Sequence, residues 1–361
     1  MFRPPKVALL IETSSIYGRR ILDGISRYLR ERHKWSIFLD QREFGASPPV
    51  WLESQKWDGM ITRYTDEKMA RTFLGRKIPV VDLDDRGPHV GFPRIISNHG
   101  AIGELAATHL LERGFNDFGF CGFSGEKWSD ERKKGFTETL EKHGLTCSVF
   151  ESPWRGRHEP PWENDQRNIM EWLKNITRPA AIMCCNDVRG QHALNACNMI
   201  EIGVPAEMAV IGVDDEETFC ELCSPPLSSV APNCEMLGYQ AAAMLDRMMF
   251  NKTKEPSITL IEPIGVVTRQ STDILAIPDP YVTAALKHIH EQALHACTVD
   301  EILNRLPLSR SIIERRFRKY LKRSPQQEIR SVQIKKIKQL LTETDMTLPV
   351  IAGICGFEHP E

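Results

Sequence analysis

The chain has 361 residues, too many for one ordinary hydrophobic core, so its length predicts two or three domains. Its composition, 41% apolar and 26% charged, is that of a globular protein, and the absence of any apolar run near ~20 residues excludes a membrane protein. The net charge of −2 hides an asymmetry, because twelve Lys and Arg against two acidic residues lie between Arg305 and Lys338. Such a basic stretch is typical of a contact with a phosphate backbone, although a solvated helix face would look similar.

The amino terminus carries no recognisable targeting signal. Residues 1–6 run directly into a strand-like apolar segment that is too short for a signal peptide and lacks a small-residue cleavage site. The ten cysteines are scattered, and we expect reduced core thiols. Cys220 and Cys223 have a CxxC spacing, but no second Cys or His pair completes a zinc site. The sequence thus predicts a cytoplasmic protein without a metal, a cofactor or catalytic residues.

Residues 6–275 alternate between strand-like and helical segments. Amphipathic stretches at 20–32, 101–113, 131–143, 166–175 and 188–200 separate short apolar runs, and a further helix is predicted at 234–250. This alternation is typical of doubly wound parallel sheets, and the number of units predicts two of them, with a break near residue 117. The predicted strands are 6–11, 36–39, 59–61, 80–82, 118–122, 180–185 and 208–213.

Five segments of this region carry recognisable motifs: Asn98 with Ala106–Leu110 and Gly114, Arg132–Phe136, Cys185–Asp187, Gly212–Asp215 and Pro263–Thr272. These motifs resemble the cores of LacI-type regulators, which are similar to periplasmic sugar-binding proteins. The resemblance implies a two-lobed core over residues 1–275, with one lobe of about 1–117 plus 233–258 and another of 118–232 plus 259–275. LacI relatives carry their DNA-binding domain at the amino terminus, and no such domain is expected there in this sequence.

A sugar presents a ring of hydroxyls and an apolar face, so its site needs carboxylates, a guanidinium and an aromatic ring. Asp187 and Asp214 follow apolar strands and are expected to accept from hydroxyls. The alternative is a helix cap, the role expected for Asp215, because a carboxylate after a strand often caps the next helix. Arg132 is expected to donate to sugar oxygens. Trp128 or Tyr17 is expected to stack on the sugar, with lobe packing as the alternative for Trp128. The predicted ligand site comprises Ser14, Tyr17, Arg19, Trp128, Arg132, Asp187 and Asp214.

The carboxyl-terminal part predicts a helix-turn-helix. A short helix at about 299–304, a turn at Pro307-Leu308 and an N-cap at Ser309 precede a helix with Ile313, Phe317 and Leu321 on one face. Residues 281–361, after a linker at 276–280, resemble the AraC-type DNA-binding domain. That resemblance implies a connecting helix at 326–342 and the start of a second helix-turn-helix at 347–357. The second recognition helix is expected to begin near Glu361, the last residue of the sequence, so we expect only the first half of this second unit.

The solvent face of the first recognition helix supplies the candidate DNA contacts. Arg pairs well with guanine and Glu accepts from cytosine, whereas residues at the carboxyl end of the helix suit phosphates better. The candidate base contacts are Ser309, Arg310, Ser311, Glu314 and Arg315, and the candidate phosphate contacts are Lys319, Lys322 and Arg323.

Together the two parts resemble the XylR family of xylose operon activators, a likeness also carried by Tyr17 with Arg19, Trp128 and the segment 238–242. The resemblance implies a transcription activator that binds D-xylose and double-stranded operator DNA as a homodimer, and it leaves a contact with RNA polymerase open. The same architecture with arabinose or ribose as effector remains the alternative, since no residue pattern separates these sugars.

Two other classes of protein are excluded. A Rossmann or flavodoxin-type enzyme needs a phosphate loop or a nucleophile motif, and the chain has no GxGxxG after its first strand, no P-loop and no GxSxG. A freestanding transport protein would carry a secretory signal and no basic helix-turn-helix.

Overall fold

Two parallel sheets with helices on both faces form two lobes, followed by a bundle of short helices. The computed structural model describes residues 3–32, 35–39, 51–64, 67–87, 91–154, 161–250, 258–274, 279–294, 298–343 and 346–357, together with positions 41, 43, 49 and 277. The architecture confirms the predicted α/β class with an all-helical carboxyl-terminal domain.

The elements follow one another along the chain as alternating strands and helices until the carboxyl-terminal domain. The strands are β1 Lys6–Leu10, β2 Ser36–Leu39, β3 Gly59–Thr62, β4 Val80–Asp82, β5 Arg94–Ser97, β6 Asp117–Ser124, β7 Cys147–Pro153, β8 Ala180–Cys184, β9 Met208–Val213, β10 Ser228–Ala231, β11 Ile258–Ile261 and β12 Gly265–Val267. The helices are α1 Ile16–Glu31, α2 Trp51–Ser54, α3 Glu67–Gly75, α4 His99–Leu111, α5 Lys127–Lys142, α6 Trp162–Lys174, α7 Asp187–Met199, α8 Glu217–Leu222, α9 Cys234–Phe250, α10 Pro280–Gln292, α11 Val299–Asn304, α12 Arg310–Leu321, α13 Pro325–Glu343 and α14 Leu348–Ile354.

The first lobe is built on a parallel sheet with the strand order β11-β5-β4-β3-β1-β2. The second lobe has the order β12-β10-β9-β8-β6-β7, in which only β12 runs antiparallel to its neighbour. The central strands β3, β8 and β9 are buried along their whole length, because helices cover both faces of each sheet. Their continuous apolar sequences are therefore a direct consequence of the doubly wound arrangement.

The boundary between the lobes lies earlier than the expected residue 117. Helix α4 packs in the second lobe, where Ile102, Ala106 and Leu110 join the apolar cluster around Phe118 and Phe136. Strand β11 pairs with β5 in the first sheet, so the expected split at 258/259 also differs from the structure. The chain therefore crosses between lobes at 97–99, 231–234 and 261–265.

The carboxyl-terminal domain is docked on the second lobe. Ala206 and Ile274 of that lobe pack with Ile277, Val282 and Leu286 in a shared apolar cluster. The expected linker 276–280 is partly structural, because Ile277 is buried, Asp279 caps α10 and Pro280 begins it; residues 276 and 278 lie outside the described residues.

The helix-turn-helix forms where the sequence predicts it. Thr298 and Glu301 make a reciprocal capping box at the start of α11. Ser309 occupies the N-cap position of α12, although its hydroxyl lies near Ser311 Oγ at 3.2 Å and caps no backbone N–H. Lys322 ends α12 in the left-handed conformation with φ 59°. The expected site of the second recognition helix, from 358 onward, lies outside the described residues. None of the helices in the described ranges is long and apolar enough to cross a membrane.

Candidate functional site

A cavity of about 260 Å³ lies in the cleft between the two lobes. Its walls come from loops that follow the carboxyl ends of parallel strands, which is where open α/β sheets place their ligands. Both lobes contribute to it in equal measure. The lining residues are Glu12, Ser14, Ser15, Ile16, Tyr17, Arg63 and Asp85 from the first lobe, and Trp128, Arg132, Trp154, Asn186, Val188, Asp214 and Glu216 from the second.

The wall from the first lobe is an ion network centred on Arg63. Its guanidinium pairs with Glu12, lies 3.2 Å from Asp85 Oδ1 and stacks 4.4 Å from the ring centroid of Tyr17. Burial alone would raise the pKa of Asp85, but Arg63 and His99 outweigh it and hold this pKa well below its usual range. The Asp85 carboxylate thus remains ionised and able to accept from hydroxyl groups.

Tyr17 is fixed by a second contact of its own. Its hydroxyl shares a hydrogen bond of 2.7 Å with Ser97 Oγ, at the end of β5 where the chain crosses to the second lobe. The ring lies between this crossing and the Arg63 guanidinium. Its position in the cavity is therefore set by the frame of the first lobe.

The wall from the second lobe is organised by Arg132 on α5. Its guanidinium donates to the Cys185 carbonyl at 2.5 Å and to Asp214 Oδ1 at 3.3 Å, and it lies 5.0 Å from the Trp128 ring centroid. Asp214 has φ 110°, a conformation that is uncommon for a residue with a side chain and that clusters at ligand sites. Burial raises the pKa of Asp214, while Arg132 opposes that shift.

A single imidazole joins the two walls. His99, the first residue of α4, lies 3.3 Å from Asp85 Oδ2 in the first lobe, and Arg132 Nε lies 3.3 Å from His99 Nδ1 in the second. His99 is completely buried and does not line the cavity. The polar groups from Glu12 to Asp214 therefore form one continuous network across the cleft.

The aromatic part of the cavity comes from two tryptophans of the second lobe. Trp128 and Trp154 meet edge to face, with ring centroids 5.5 Å apart. Glu126 accepts from Trp128 Nε1 at 2.9 Å and receives two hydrogen bonds, each 2.9 Å long, from Arg86 of the first lobe. This bidentate pair spans the cleft beside the Trp128 ring.

The structure brings five of the seven expected ligand residues together: Ser14, Tyr17, Trp128, Arg132 and Asp214 line one cavity. Arg19 lies outside the lining, with its side chain 3.7 Å from Glu216 Oε1 and donating to the Thr13 carbonyl. Asp187 lies behind the wall, where Ser229 Oγ donates to Oδ1 at 2.6 Å and the Glu216 amide to Oδ2 at 3.0 Å. Burial raises the pKa of Asp187 to about 7, and the negative charge of the nearby Asp214 is the second cause of this shift. Asp187 thus holds the loop that carries Asp214 and does not face the cavity.

Sequence reasoning missed Glu12, Arg63, Asp85, Asn186 and His99. The first four follow strands β1, β3, β4 and β8, so the rule that polar residues after strands face the ligand could have found them. His99 likewise follows β5 by two residues, but that strand was not predicted from the sequence. Its contacts also depend on how α4 packs against the second lobe.

The exposed face of α12 is the candidate DNA interface. Ser309, Arg310, Ser311 and Arg315 are exposed, and Glu314 is half-buried. Arg310 is engaged by Glu314 at 3.3 Å and Asp300 at 3.4 Å, whereas Arg315 pairs with no carboxylate among the described residues. Arg315 is therefore the cation of this group best placed to meet a base.

The candidate phosphate contacts differ among themselves. Lys319 and Lys322 are exposed at the carboxyl end of α12. Arg323 instead pairs with the buried Glu328 and lines a cavity against the second lobe. Arg316 of the same helix is also turned inward, with bonds of 2.9 and 2.8 Å to the Asp279 carboxylate.

The cleft is equipped to hold a small polyhydroxylated molecule. Carboxylates and guanidinia meet at one side of the cavity and two indole rings form the other, which matches the two faces of a sugar ring. A volume of about 260 Å³ lies below the ~300–1,000 Å³ typical of pockets for drug-sized ligands, so the space suits a single sugar unit.

Three family models match parts of this chain. Residues 6–87 match the XylR N-terminal domain, residues 107–272 match a periplasmic binding protein-like domain, and residues 302–361 match a helix-turn-helix domain.

Relatives are similar over almost the whole chain. The xylose operon regulatory protein of Haemophilus influenzae is 32% identical over 98% of this chain and 92% of its own length. The protein of the same name from Escherichia coli K12 is 29% identical over 98% of this chain and 91% of its own. A solved structure described as the xylose-binding transcription activator xylR superposes with a TM-score of 0.83 at 28% identity, covering 100% of this chain and 94% of that one.

Proposed function

This chain belongs to the family of xylose operon regulatory proteins, and from that premise we propose that it binds D-xylose in the cleft between its lobes. The family consists of DNA-binding transcription regulators and not of enzymes. The observation that carries the proposal is the single cavity in which Arg132, Asp214 and Trp128 meet Tyr17 and Arg63 from the other lobe.

The chemistry of the cavity supports a sugar as the effector. Asp214, Asp85 and Glu12 accept from hydroxyls, Arg132 and Arg63 donate to ring and hydroxyl oxygens, and an indole covers the apolar face. Because both lobes supply these groups, a bound sugar completes its contacts only when the lobes are closed. The sugar then stabilises the closed arrangement by the difference in its affinity for the two states.

The response to the sugar is expected to reach DNA through the second lobe, on which the carboxyl-terminal domain is docked. Closure would change how two paired chains present their α12 helices to two half-sites of an operator. We infer a homodimer with activating contact to RNA polymerase, in which Ser309, Arg310, Ser311, Glu314 and Arg315 approach bases and Lys319 and Lys322 approach phosphates.

Calorimetric titration with xylose, arabinose, ribose, glucose and fucose tests the sugar. We expect heat from D-xylose and its loss in Asp214→Asn, which keeps a residue tolerant of positive φ while removing the charged acceptor. Hydrogen bonds to charged groups contribute about 1.5–3 kcal/mol each, so the affinity should fall roughly ten- to hundredfold. Asp130→Asn, on the exposed side of α5, is the matched control and should leave binding unchanged.

Binding heat from arabinose or ribose alone would still identify the cleft as a sugar site, but with that sugar and not xylose as the effector. The absence of binding heat from all five sugars, in protein that unfolds cooperatively, would contradict the proposal that this cleft binds a pentose. Full affinity in Asp214→Asn would remove Asp214 from the site.

A further inference from the structure

His99 occupies the first of the three crossings between the lobes. Asn98, which precedes it, caps α4 through Ala101 and donates through Nδ2 to Glu262 Oε1 at 2.8 Å, tying the first crossing to the third. Tyr17 is bonded to Ser97 at the same crossing. The imidazole of His99 is therefore anchored where the lobes pivot, within bonding distance of one charged group from each lobe.

The two contacts of His99 together fix its protonation. Arg132 Nε carries a hydrogen and can only donate, so His99 Nδ1 must accept and carry no proton. His99 Nε2 then carries the proton and donates to Asp85 Oδ2. A doubly protonated imidazole would place an N–H against the N–H of Arg132 and break this arrangement.

The surroundings favour the same neutral form. Burial lowers the pKa of His99, and the hydrogen bond to Asp85 only partly opposes that effect. The charged groups around it are Asp85 and Arg63 from the first lobe, Arg132 and Glu131 from α5, and Asp214 from the loop after β9. The imidazole thus remains neutral under conditions in which a free histidine begins to titrate.

Resting on the proposed function, we propose that His99 is a positioning residue for sugar recognition. In its neutral Nε2–H form it accepts a hydrogen bond from Arg132 and donates one to Asp85. These two bonds fix the position of the guanidinium on one wall relative to the carboxylate on the other. It touches no ligand itself. The cleft binds sugar fully only while His99 is neutral, because a proton gained at Nδ1 breaks the link between the walls.

Paired substitutions separate positioning from mere packing. His99→Leu should weaken sugar binding about tenfold or more at pH 7.5, because it leaves Arg132 and Asp85 without their common partner. His99→Gln presents an acceptor and a donor on one amide and has no proton to gain. It should recover most of the lost affinity.

The pH profile gives the sharper readout. Because His99 has a pKa lowered by burial, the wild-type affinity for xylose should fall by up to about tenfold per pH unit below that pKa. Asp187 and Asp214 titrate in both chains, so the ratio of the wild-type affinity to that of His99→Gln isolates His99. We expect this ratio to decline as the pH falls below the range in which a free histidine titrates.

Nitrogen-15 chemical shifts of the imidazole provide a readout that needs no sugar. In the sugar-free chain, Nδ1 of His99 should have the shift of an unprotonated nitrogen and Nε2 that of a protonated one. A protonated Nδ1, a pH-independent affinity ratio or wild-type binding by His99→Leu would overturn the inference. Failure of the wild-type chain to bind any sugar would instead overturn the proposed function, and the shifts would still report the tautomer.

Discussion

Arg132 shows how the surroundings of one side chain can prepare a candidate ligand site. Its guanidinium has four different kinds of neighbour: a backbone carbonyl, a carboxylate, an indole face and an imidazole. The carbonyl of Cys185 and the imidazole of His99 fix its plane, so little rotational freedom remains to be lost when a sugar binds. The Nη2 atom donates to Asp214, beside the cavity.

On the DNA side, Arg315→Ala should relax the preference for one base pair by about 1–3 kcal/mol, because an exposed arginine without a carboxylate partner can pair with guanine. The measurement is competition binding against operators that vary at single positions. A uniform loss across all sequences would make Arg315 a phosphate contact.

Arg316→Ala is the control for this prediction, since Arg316 pairs with Asp279 and does not face outward. It should lower the melting temperature of the carboxyl-terminal domain while leaving the base preference of the folded protein intact.

Strand position, for Asp214, and the family resemblance, for Trp128 and Arg132, were sufficient to predict these candidates, and the structure places all three at one cavity. They were not sufficient for Asp187, which follows its strand by only a few positions but points toward Ser229, away from the cleft. The direction of a side chain at the first turn of a helix depends on how that helix is packed, and a single sequence does not contain this information.

At the scale of elements, the close approach of α4 and α5 decides where His99 and Arg132 meet. A Cβ on Gly103 would lie 2.2 Å from the Arg132 carbonyl oxygen, and one on Gly135 would lie 2.1 Å from the Gly100 carbonyl oxygen. The two glycines therefore let the helix backbones touch, and this contact brings the start of α4 within reach of Arg132.

Gly135→Ala should force these helices apart. Overpacking of this kind costs typically about 1–3 kcal/mol of stability, and the separation of His99 from Arg132 should also weaken sugar binding. Thermal unfolding and calorimetry on the same protein would measure both effects.

Gly100→Ala is the matched control, since its Cβ would meet only Asn98 Oδ1 at an ordinary 3.6 Å. We expect unchanged binding there and a slight gain in stability from the better helix former. Equal behaviour of the two variants would contradict the role assigned to the contact between α4 and α5.

Two helices were predicted with the same bounds that the structure gives them. The prediction for α9 coincides with Cys234–Phe250 and that for α11 with Val299–Asn304. Strands β5, β7, β10, β11 and β12 were missed. Four of these strands have only three or four residues, and at least half of each of β7, β11 and β12 is partly or fully exposed, so their apolar pattern is weak. The lobe boundary was misplaced because a crossing between lobes has no composition of its own.

At the scale of the whole molecule, the Arg86–Glu126 pair is a clasp across the mouth of the cleft. It joins the loop after β4 to the start of α5, and its acceptor also holds Trp128. Since Arg86 is partly exposed, we assign the pair at most about 1 kcal/mol.

Arg86→Ala should therefore speed the dissociation of sugar by up to about fivefold, with little change in the rate of association. Stopped-flow fluorescence can follow this step, because Trp128 and Trp154 line the cavity. Arg71→Ala removes an exposed ion pair with Glu67 on α3 and should leave the kinetics unchanged. A dissociation rate equal to that of the wild type would show that the clasp does not retain the ligand.

The apolar cluster shared by the second lobe and the carboxyl-terminal domain has a thermodynamic consequence. If sugar and operator favour the same arrangement of these parts, each must raise the affinity of the chain for the other by an identical factor. The operator is then itself an effector of the cleft. Protein that is already bound to its operator then responds to a lower sugar concentration than protein free in solution. The number of operator sites in the genome sets the bound fraction, and so sets in part the sugar concentration at which the protein responds.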